Sequence, residues 1–427
     1  MKVLLIQPNR KFYKGSFDVY GCLEHSTLPL GLLYLASAIR DKHEVRILDC
    51  LMDEKTRIYR KGRTFYQGLE WGRIKKCIEG FQPDAIGLTI PFTAQERASD
   101  RLLHKIRSHF PEIKIILGGC AIGVNYEKYL KSGIYAIIGE GELSFPLLLE
   151  HFETGRPGLS EIPNLAYIEK GKIKRNQARL IENLDELKLP AYDLIDMERY
   201  LNRRQFLFRR LSLTEKARMP PFFSRNRSLR KQDGKRDIIM FTSRGCPFNC
   251  IFCSIHSQFG FKWRAHSAEY ILRHIRLLAQ KYGINHIHFE DDGFALDAKR
   301  LSAILRMLQK GGVQIEWDAN LGLLSDSLDK GMLLRMRKAG CTKLTFALES
   351  GNDKIRNRVL GKKLDMQKIE RLLGACKETG IGTAAFFMTG FPFETKEQAA
   401  ETLSFAKRLE MRYGTEPMIS VMQQPEH

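Results

Sequence analysis

Residues 237–253 read DIIMFTSRGCPFNCIFC, and this stretch decides the fold of the second half of the chain. Its opening apolar, β-branched run predicts a buried strand, and three cysteines follow on one loop. Cys246, Cys250 and Cys253 are therefore expected within reach of a single metal centre, just after that strand.

Five more strand-like runs follow this loop: HIHFEDDG, QIEWDANLG, KLTFALESG, TAAFFMTGFP and MISVM. Helical periodicity follows every strand of the series except the last. Six βα units are an incomplete version of the eight-unit barrel, in which chemistry sits at the carboxyl ends of the strands. We therefore expect a partial, TIM-like (β/α)6 barrel over residues 237–427.

The first 150 residues alternate short strand-like runs with amphipathic segments. The runs are KVLLI, VRILD, DAIGL, KIIL and YAII. This alternation predicts an α/β domain with a doubly wound parallel sheet of flavodoxin or Rossmann type. Residues 151–236 are expected to form a hairpin turning at Lys170 and Gly171, followed by a basic linker.

Composition limits the class of protein. The chain has 427 residues, nine cysteines and a net charge of +20. Its first apolar run is too short for a signal h-region, and no other run is long enough for a membrane helix. We expect a cytoplasmic protein whose clustered cysteines bind metal rather than form disulfides. Much of the positive charge lies in residues 203–236, which suit either a solvated linker or an anion-binding segment.

Three thiols allow two kinds of metal centre. Structural zinc is closed by four ligands, and His256 would be needed to complete a Cys3His set. An iron–sulfur cube held by three cysteines instead leaves one iron open to a further ligand.

The spacing C-x3-C-x-aromatic-C, with Phe252 as the aromatic residue, resembles the signature of radical S-adenosylmethionine (SAM) enzymes. The resemblance covers residues 237–422 and implies a [4Fe–4S] cluster on Cys246, Cys250 and Cys253. In this family the open iron binds the amino and carboxylate groups of SAM, and an electron from the cluster releases a 5′-deoxyadenosyl radical. An external electron donor of flavodoxin or ferredoxin type is implied as well.

The resemblance also implies contacts with SAM at three strand ends. Glu290, Asp291 and Asp292 match the segment that faces the methionine amino group, and carboxylates suit an ammonium partner. Glu349 and Ser350 match the segment that meets the ribose or methionine, and Gly390 matches the segment near the adenine.

The first half resembles the cobalamin-binding domain that is fused to many of these enzymes. The motifs that carry this likeness are PLGLLYLA at residues 29–36, Gly118 and Gly119, and Gly139, Glu140 and Gly141. Glycines allow backbone to approach a bulky ligand, and helix amino ends suit phosphate. No Asp-x-His-x-x-Gly motif is present, so the resemblance implies cobalamin bound without a protein histidine on cobalt.

Three functions remain open at this point. The first is cobalamin-dependent methyl transfer to an unactivated carbon of a small molecule or peptide, and the basic segment would suit a negatively charged one. The second is radical chemistry without that step, in a methylthiotransferase or a cyclase. The third is a zinc-stabilised nucleic-acid-binding protein, which the positive net charge of the chain would explain. The chain ends soon after the sixth predicted strand, which leaves open whether its substrate-binding region is full or shortened.

Overall fold

The computed structural model describes residues 1–13, 28–62, 64–92, 95–211, 234–321 and 328–422. The chain divides into two compact units. The N-terminal unit consists of Met1–Glu182, Glu186–Gly234 and Ser257–Phe259, and the C-terminal unit of Asn183–Asp185, Lys235–His256 and Gly260–His427. Of the basic segment, residues 212–233 lie outside the described residues.

The N-terminal unit is built on a seven-stranded sheet in the order β10-β9-β8-β7-β6-β1-β3. Five of these strands are mutually parallel and confirm the predicted doubly wound sheet. They are β1 (Lys2–Gln7), β3 (Glu44–Asp49), β6 (Ala85–Thr89), β7 (Lys114–Gly118) and β8 (Ile134–Ile137).

Apolar residues cover both faces of this sheet. In β1, Leu4 and Ile6 belong to one buried cluster while Val3 and Leu5 belong to another, as expected for a parallel sheet between two helix layers. The helices among the described residues are α1 (Leu30–Ile39), α2 (Trp71–Phe81), α3 (Glu96–His109), α4 (Cys120–Asn125), α5 (Gly141–Thr154), α6 (Met197–Leu201) and α7 (Arg203–Arg210).

The hairpin expected after residue 150 is part of this sheet. Strands β9 (Leu165–Glu169) and β10 (Lys172–Arg175) are antiparallel, and β9 pairs antiparallel with β8. A second, three-stranded antiparallel sheet was not predicted. It consists of β2 (Arg10–Tyr13), β4 (Arg57–Lys61) and β5 (Thr64–Gly68).

The C-terminal unit contains the predicted six-stranded parallel sheet, in the order β11-β14-β15-β16-β17-β18. The strands are β11 (Asp237–Met240), β14 (His286–Phe289), β15 (Glu316–Leu321), β16 (Cys341–Glu349), β17 (Gly382–Thr389) and β18 (Glu416–Val421). A short antiparallel pair, β12 (Ser243–Arg244) and β13 (Arg264–Ala265), flanks the cysteine loop. The predicted partial barrel is confirmed.

Six α-helices follow β12 in the part of this half that the structure describes. They are α8 (His256–Phe259), α9 (Ala268–Tyr282), α10 (Ala298–Lys310), α11 (Lys330–Lys338), α12 (Met366–Glu378) and α13 (Lys396–Tyr413). The last five begin at side-chain N-caps, namely Ser267, Asp297, Asp329, Asp365 and Thr395. Among the described residues, no helix has both the length and the apolar composition needed to cross a bilayer.

Candidate functional site

The cysteine loop begins directly after β12. Gly245 starts it with a φ of +82°, a backbone conformation that favours glycine. Cys250 is buried, Cys246 is half-buried and Cys253 is exposed, and none of them forms a disulfide. Three thiol donors on one short loop match the donor set of an iron–sulfur cluster that keeps one iron open.

Burial raises the pKa of the Cys246 and Cys250 thiols, which opposes the thiolate form that binds metal. At Cys250 the ammonium of Lys362 acts in the opposite direction and lowers the pKa. The Nε2 atom of His256 lies 3.1 Å from the carbonyl oxygen of Cys246, and its ring stacks on Phe261. The histidine considered for a Cys3His zinc site thus contacts the loop backbone through one ring nitrogen.

Asp291 is buried and bound to the strand that leads into the cysteine loop. Its carboxylate accepts hydrogen bonds from the Thr242 N–H at 2.8 Å and from the hydroxyl groups of Thr242 and Ser243 at 3.1 and 2.6 Å. Burial raises the pKa of Asp291, and Arg300 opposes that effect. The geometry makes Asp291 a positioning residue for the approach to Cys246.

Glu290 and Asp292 flank this buried carboxylate. Glu290 accepts a hydrogen bond from the side-chain amide of Asn320, and burial raises its pKa. Burial first, and the neighbouring Asp291 second, raise the pKa of Asp292 to about 6. An arriving ammonium group would offset the cost of ionising Asp292, so this carboxylate fits the amino group of SAM. Because Asp297 caps α10, none of these three acids serves as that helix cap.

Glu349 forms a buried ion pair with Lys362. The Nζ atom of Lys362 lies 2.9 Å from Oε1 of Glu349, and the two side chains are only 6% and 7% exposed. Glu349 holds a φ of +64°, an uncommon conformation for a non-glycine residue. The same Nζ atom lies 5.7 Å from the centre of the Phe252 ring. The structure thus brings Glu349 and Phe252 together around a lysine that the sequence did not suggest.

Ser350 and Gly390 have clear structural roles. The buried Ser350 hydroxyl lies 3.1 Å from the hydroxyl of Thr402 and accepts from the Asn352 N–H. Gly390 has a φ of +83°, and its N–H donates to Glu394 at 2.6 Å. Contact of these two residues with SAM stays a prediction.

The glycines of the N-terminal unit lie where the predicted strands end, but they are not equivalent. A Cβ on Gly119, at φ +100°, would come within 2.6 Å of the Ile90 carbonyl oxygen, so the fold itself requires glycine there. A Cβ on Gly118 would meet no atom closer than 4.0 Å. Gly118 thus offers the open backbone that a bulky ligand needs.

The predicted Gly139-Glu140-Gly141 turn precedes α5. Gly139 has a φ of +100°, and a Cβ on Gly141 would lie 2.8 Å from a methyl carbon of Leu35. The buried Glu140 carboxylate accepts a hydrogen bond from the Ile181 N–H at 2.7 Å. This turn is therefore strongly constrained by packing, and its contact with cobalamin stays a prediction.

Comparison with known families covers both units. Residues 240–406 match the model of the radical SAM superfamily, and residues 18–149 match the model of the B12 binding domain. An uncharacterised methyltransferase of Pyrococcus horikoshii is 32% identical over 391 residues, which are 90% of this chain and 74% of that protein. The chain belongs to the cobalamin-binding branch of the radical SAM superfamily.

Two further relatives agree with this family. The cytidylyl-2-hydroxyethylphosphonate methyltransferase of Streptomyces wedmorensis is 24% identical, over 92% of this chain and 73% of that protein. The solved structure of the cobalamin-dependent SAM radical enzyme OxsB, with aqua-cobalamin and SAM bound, matches with a TM-score of 0.70 at 20% identity. That match covers 95% of this chain and 52% of the OxsB chain, and it bears on the fold alone.

Membership of this radical SAM branch confirms the resemblance drawn from the sequence. The [4Fe–4S] cluster, SAM and cobalamin are its cofactors, and the chain is a radical SAM enzyme. Such enzymes use a substrate and an external electron donor. The zinc-stabilised nucleic-acid-binding protein is set aside, because the superfamily match spans the cysteine loop and most of the barrel.

Proposed function

We propose that this radical SAM enzyme transfers a methyl group to an unactivated carbon of its substrate. The observation that carries the proposal is the match to a methyltransferase over 90% of the chain, through both the B12-binding and the radical SAM segments. A corrinoid carries the methyl group in such chemistry, and cleavage of SAM at the cluster supplies the radical that activates the carbon.

The residues of the C-terminal unit divide this work. Cys246, Cys250 and Cys253 hold the cluster through their thiolates. Asp292 receives the amino group of SAM, since its desolvated carboxylate gains most from a cationic partner. Asp291 keeps the strand end before the cysteine loop in place through its three hydrogen-bond donors.

Lys362 has two tasks in this scheme. Its ammonium neutralises the buried Glu349 carboxylate and favours the thiolate of Cys250. Glu349 is thereby fixed in one orientation, from which its second oxygen can accept a hydrogen bond from the cofactor.

The charge of the chain supports acidic partners. A net charge of +20 favours encounter with a small acidic electron carrier of flavodoxin or ferredoxin type. It favours a negatively charged substrate for the same reason, and the Streptomyces relative acts, by its name, on a phosphonate nucleotide.

The methyl-transfer proposal can be tested without knowing the substrate. Anaerobic protein with an intact cluster is loaded with hydroxocobalamin, desalted, reduced and given SAM that carries a deuterated methyl group. We expect S-adenosylhomocysteine and about one deuterated methyl group on each bound corrinoid, detected by mass spectrometry. The same protein without corrinoid is the control and should form no S-adenosylhomocysteine.

Two outcomes would contradict the proposal. If the protein with an intact cluster retains no corrinoid, methyl transfer by this route fails. If corrinoid is retained and 5′-deoxyadenosine forms, but no label reaches the corrinoid, the enzyme performs a cyclisation or rearrangement instead.

A further inference from the structure

A cluster of imidazole and carboxylate groups lies on β14 and β15. His286 and His288 alternate with Ile287 and Phe289 along β14, so the two imidazoles share one face of the sheet. Asp318 stands on the neighbouring strand, in register with His288. This group, His286, His288 and Asp318, is called the His–His–Asp triad below.

The three side chains converge on one point. Nε2 of His286 lies 2.8 Å from Oδ2 of Asp318, and Nδ1 of His288 lies 2.8 Å from the same oxygen. Each residue of the triad offers a ligand atom, and these atoms all lie within 4.8 Å of one another. His286 is buried, while His288 and Asp318 are about one quarter exposed, so an ion from solution can reach the group.

The far nitrogen of each imidazole faces a second carboxylate. Nε2 of His288 lies 3.1 Å from Oδ2 of the buried Asp237. Nδ1 of His286 lies 3.7 Å from Glu316 and is buried without a hydrogen-bond partner among the described residues. Metal-binding histidines usually donate their second N–H to such a carboxylate, which fixes the ring and makes the other nitrogen a better ligand.

We propose that the His–His–Asp triad binds a divalent transition-metal ion, zinc, through Nε2 of His286, Nδ1 of His288 and the carboxylate of Asp318. Two imidazoles and a carboxylate are a common zinc ligand set, and three protein ligands leave one position for water or a substrate oxygen. Imidazole donors select against magnesium and calcium, which prefer oxygen ligands. No part of the radical SAM reaction proposed above assigns a metal to these residues.

A proton is the competing occupant of the triad. His288, as an imidazolium, would be satisfied by Asp237 on one side and Asp318 on the other, with no metal present. The buried Nδ1 of His286 lies 3.7 Å from Glu316 and does not distinguish a proton from a metal ion. The experiment has to separate these two occupants and also separate the triad from the cysteine loop.

The test uses the full chain with its iron–sulfur cluster reconstituted. The protein is incubated anaerobically with Zn²⁺, dialysed against a weak chelator, and assayed for zinc and iron by mass spectrometry. We expect about one zinc per chain in addition to about four irons. H286Q and D318N should each lower the zinc content at least tenfold and leave the iron content unchanged. H266Q is the matched control, since it alters a buried histidine paired with Asp185, outside the triad.

A spectroscopic measurement on unmodified protein covers the case in which a variant fails to fold. X-ray absorption at the zinc edge should show nitrogen and oxygen ligands near about 2.0–2.1 Å and no sulfur near about 2.3 Å. Zinc bound through sulfur would assign the ion to the cysteine loop and overturn the proposal. So would protein that holds its iron but retains no zinc, or zinc retained equally by both triad variants.

Discussion

Replacing Lys362 by Met should destabilise the C-terminal unit far more than any surface lysine does. The Lys362 and Glu349 side chains are 6% and 7% exposed, and their charged atoms lie 2.9 Å apart. Removing the lysine leaves a buried, unpaired carboxylate, which typically costs about 3–5 kcal/mol. Methionine nearly preserves the volume, so most of that cost comes from the lost charge.

The chain offers a matched control for this substitution. Lys330 pairs with Glu378 at 2.7 Å in the same unit, but these side chains are 60% and 61% exposed. Exposed ion pairs contribute about 0.2–1 kcal/mol to stability, so K330M should lower the free energy of unfolding by no more than that. The double variant E349Q/K362M removes both charges and should recover more than half of the loss caused by K362M alone.

Tryptophan fluorescence can follow the C-terminal unit separately. Trp263 and Trp317 lie in that unit and Trp71 in the other, so a W71F background reports on the barrel alone. Urea unfolding before cluster reconstitution, under reducing and anaerobic conditions, then gives the free energy of unfolding for each variant. If K362M costs no more than K330M, or if the double variant is no better than K362M, the buried ion pair does not have the role assigned to it.

Three further predictions concern Asp292, Asp49 and two glycines of the N-terminal unit. D292N should weaken SAM binding to the reconstituted protein by about 1–3 kcal/mol, measured by equilibrium dialysis, while the iron content stays unchanged; unaltered affinity would remove Asp292 from the cofactor site. Burial raises the pKa of Asp49 to about 6, so its ionisation lowers stability as the pH rises from about 4 to about 6. D49N removes that cost, so its free energy of unfolding, relative to that of wild type, should be up to about 3 kcal/mol higher at pH 7 than at pH 4 in chemical unfolding. The same difference between variant and wild type at both pH values would contradict the raised pKa. In the N-terminal unit, G119A should destabilise the fold and G118A should not, because only the first places a Cβ against backbone; equal thermal midpoints would refute the packing argument.

The strands were predictable because their patterns are local. Runs such as KVLLI in β1 and the βα alternation after Asp237 give the right strands in both halves of the chain. The sheet of β2, β4 and β5 was missed because its strands carry many charged residues, as in RIYRK, and polar strands at a surface give a weak apolar pattern. The hairpin was recognised, but its pairing with β8 is a long-range contact that local patterns do not encode.

The candidate site was predictable only in part, for the same reason. The cysteine spacing predicts the cluster ligands, because it resembles the signature of the radical SAM family. The different surroundings of Asp291 and Asp292 depend on Thr242 and Ser243, about 50 residues away in sequence. Lys362 was missed because a lysine in the sequence GKK is usually exposed, and only the tertiary structure reveals that it is buried against Glu349.

The central claim is that Cys250 helps to hold a cluster that cleaves SAM to a 5′-deoxyadenosyl radical. Its most direct test is the amount of 5′-deoxyadenosine that anaerobically reconstituted protein forms from SAM and a strong reductant, compared between wild type and C250A. We predict that wild type holds about four irons per chain and forms 5′-deoxyadenosine, whereas C250A loses the cluster and forms none. Wild-type protein that holds its irons but forms no 5′-deoxyadenosine, or a C250A variant that forms as much as wild type, would contradict the account.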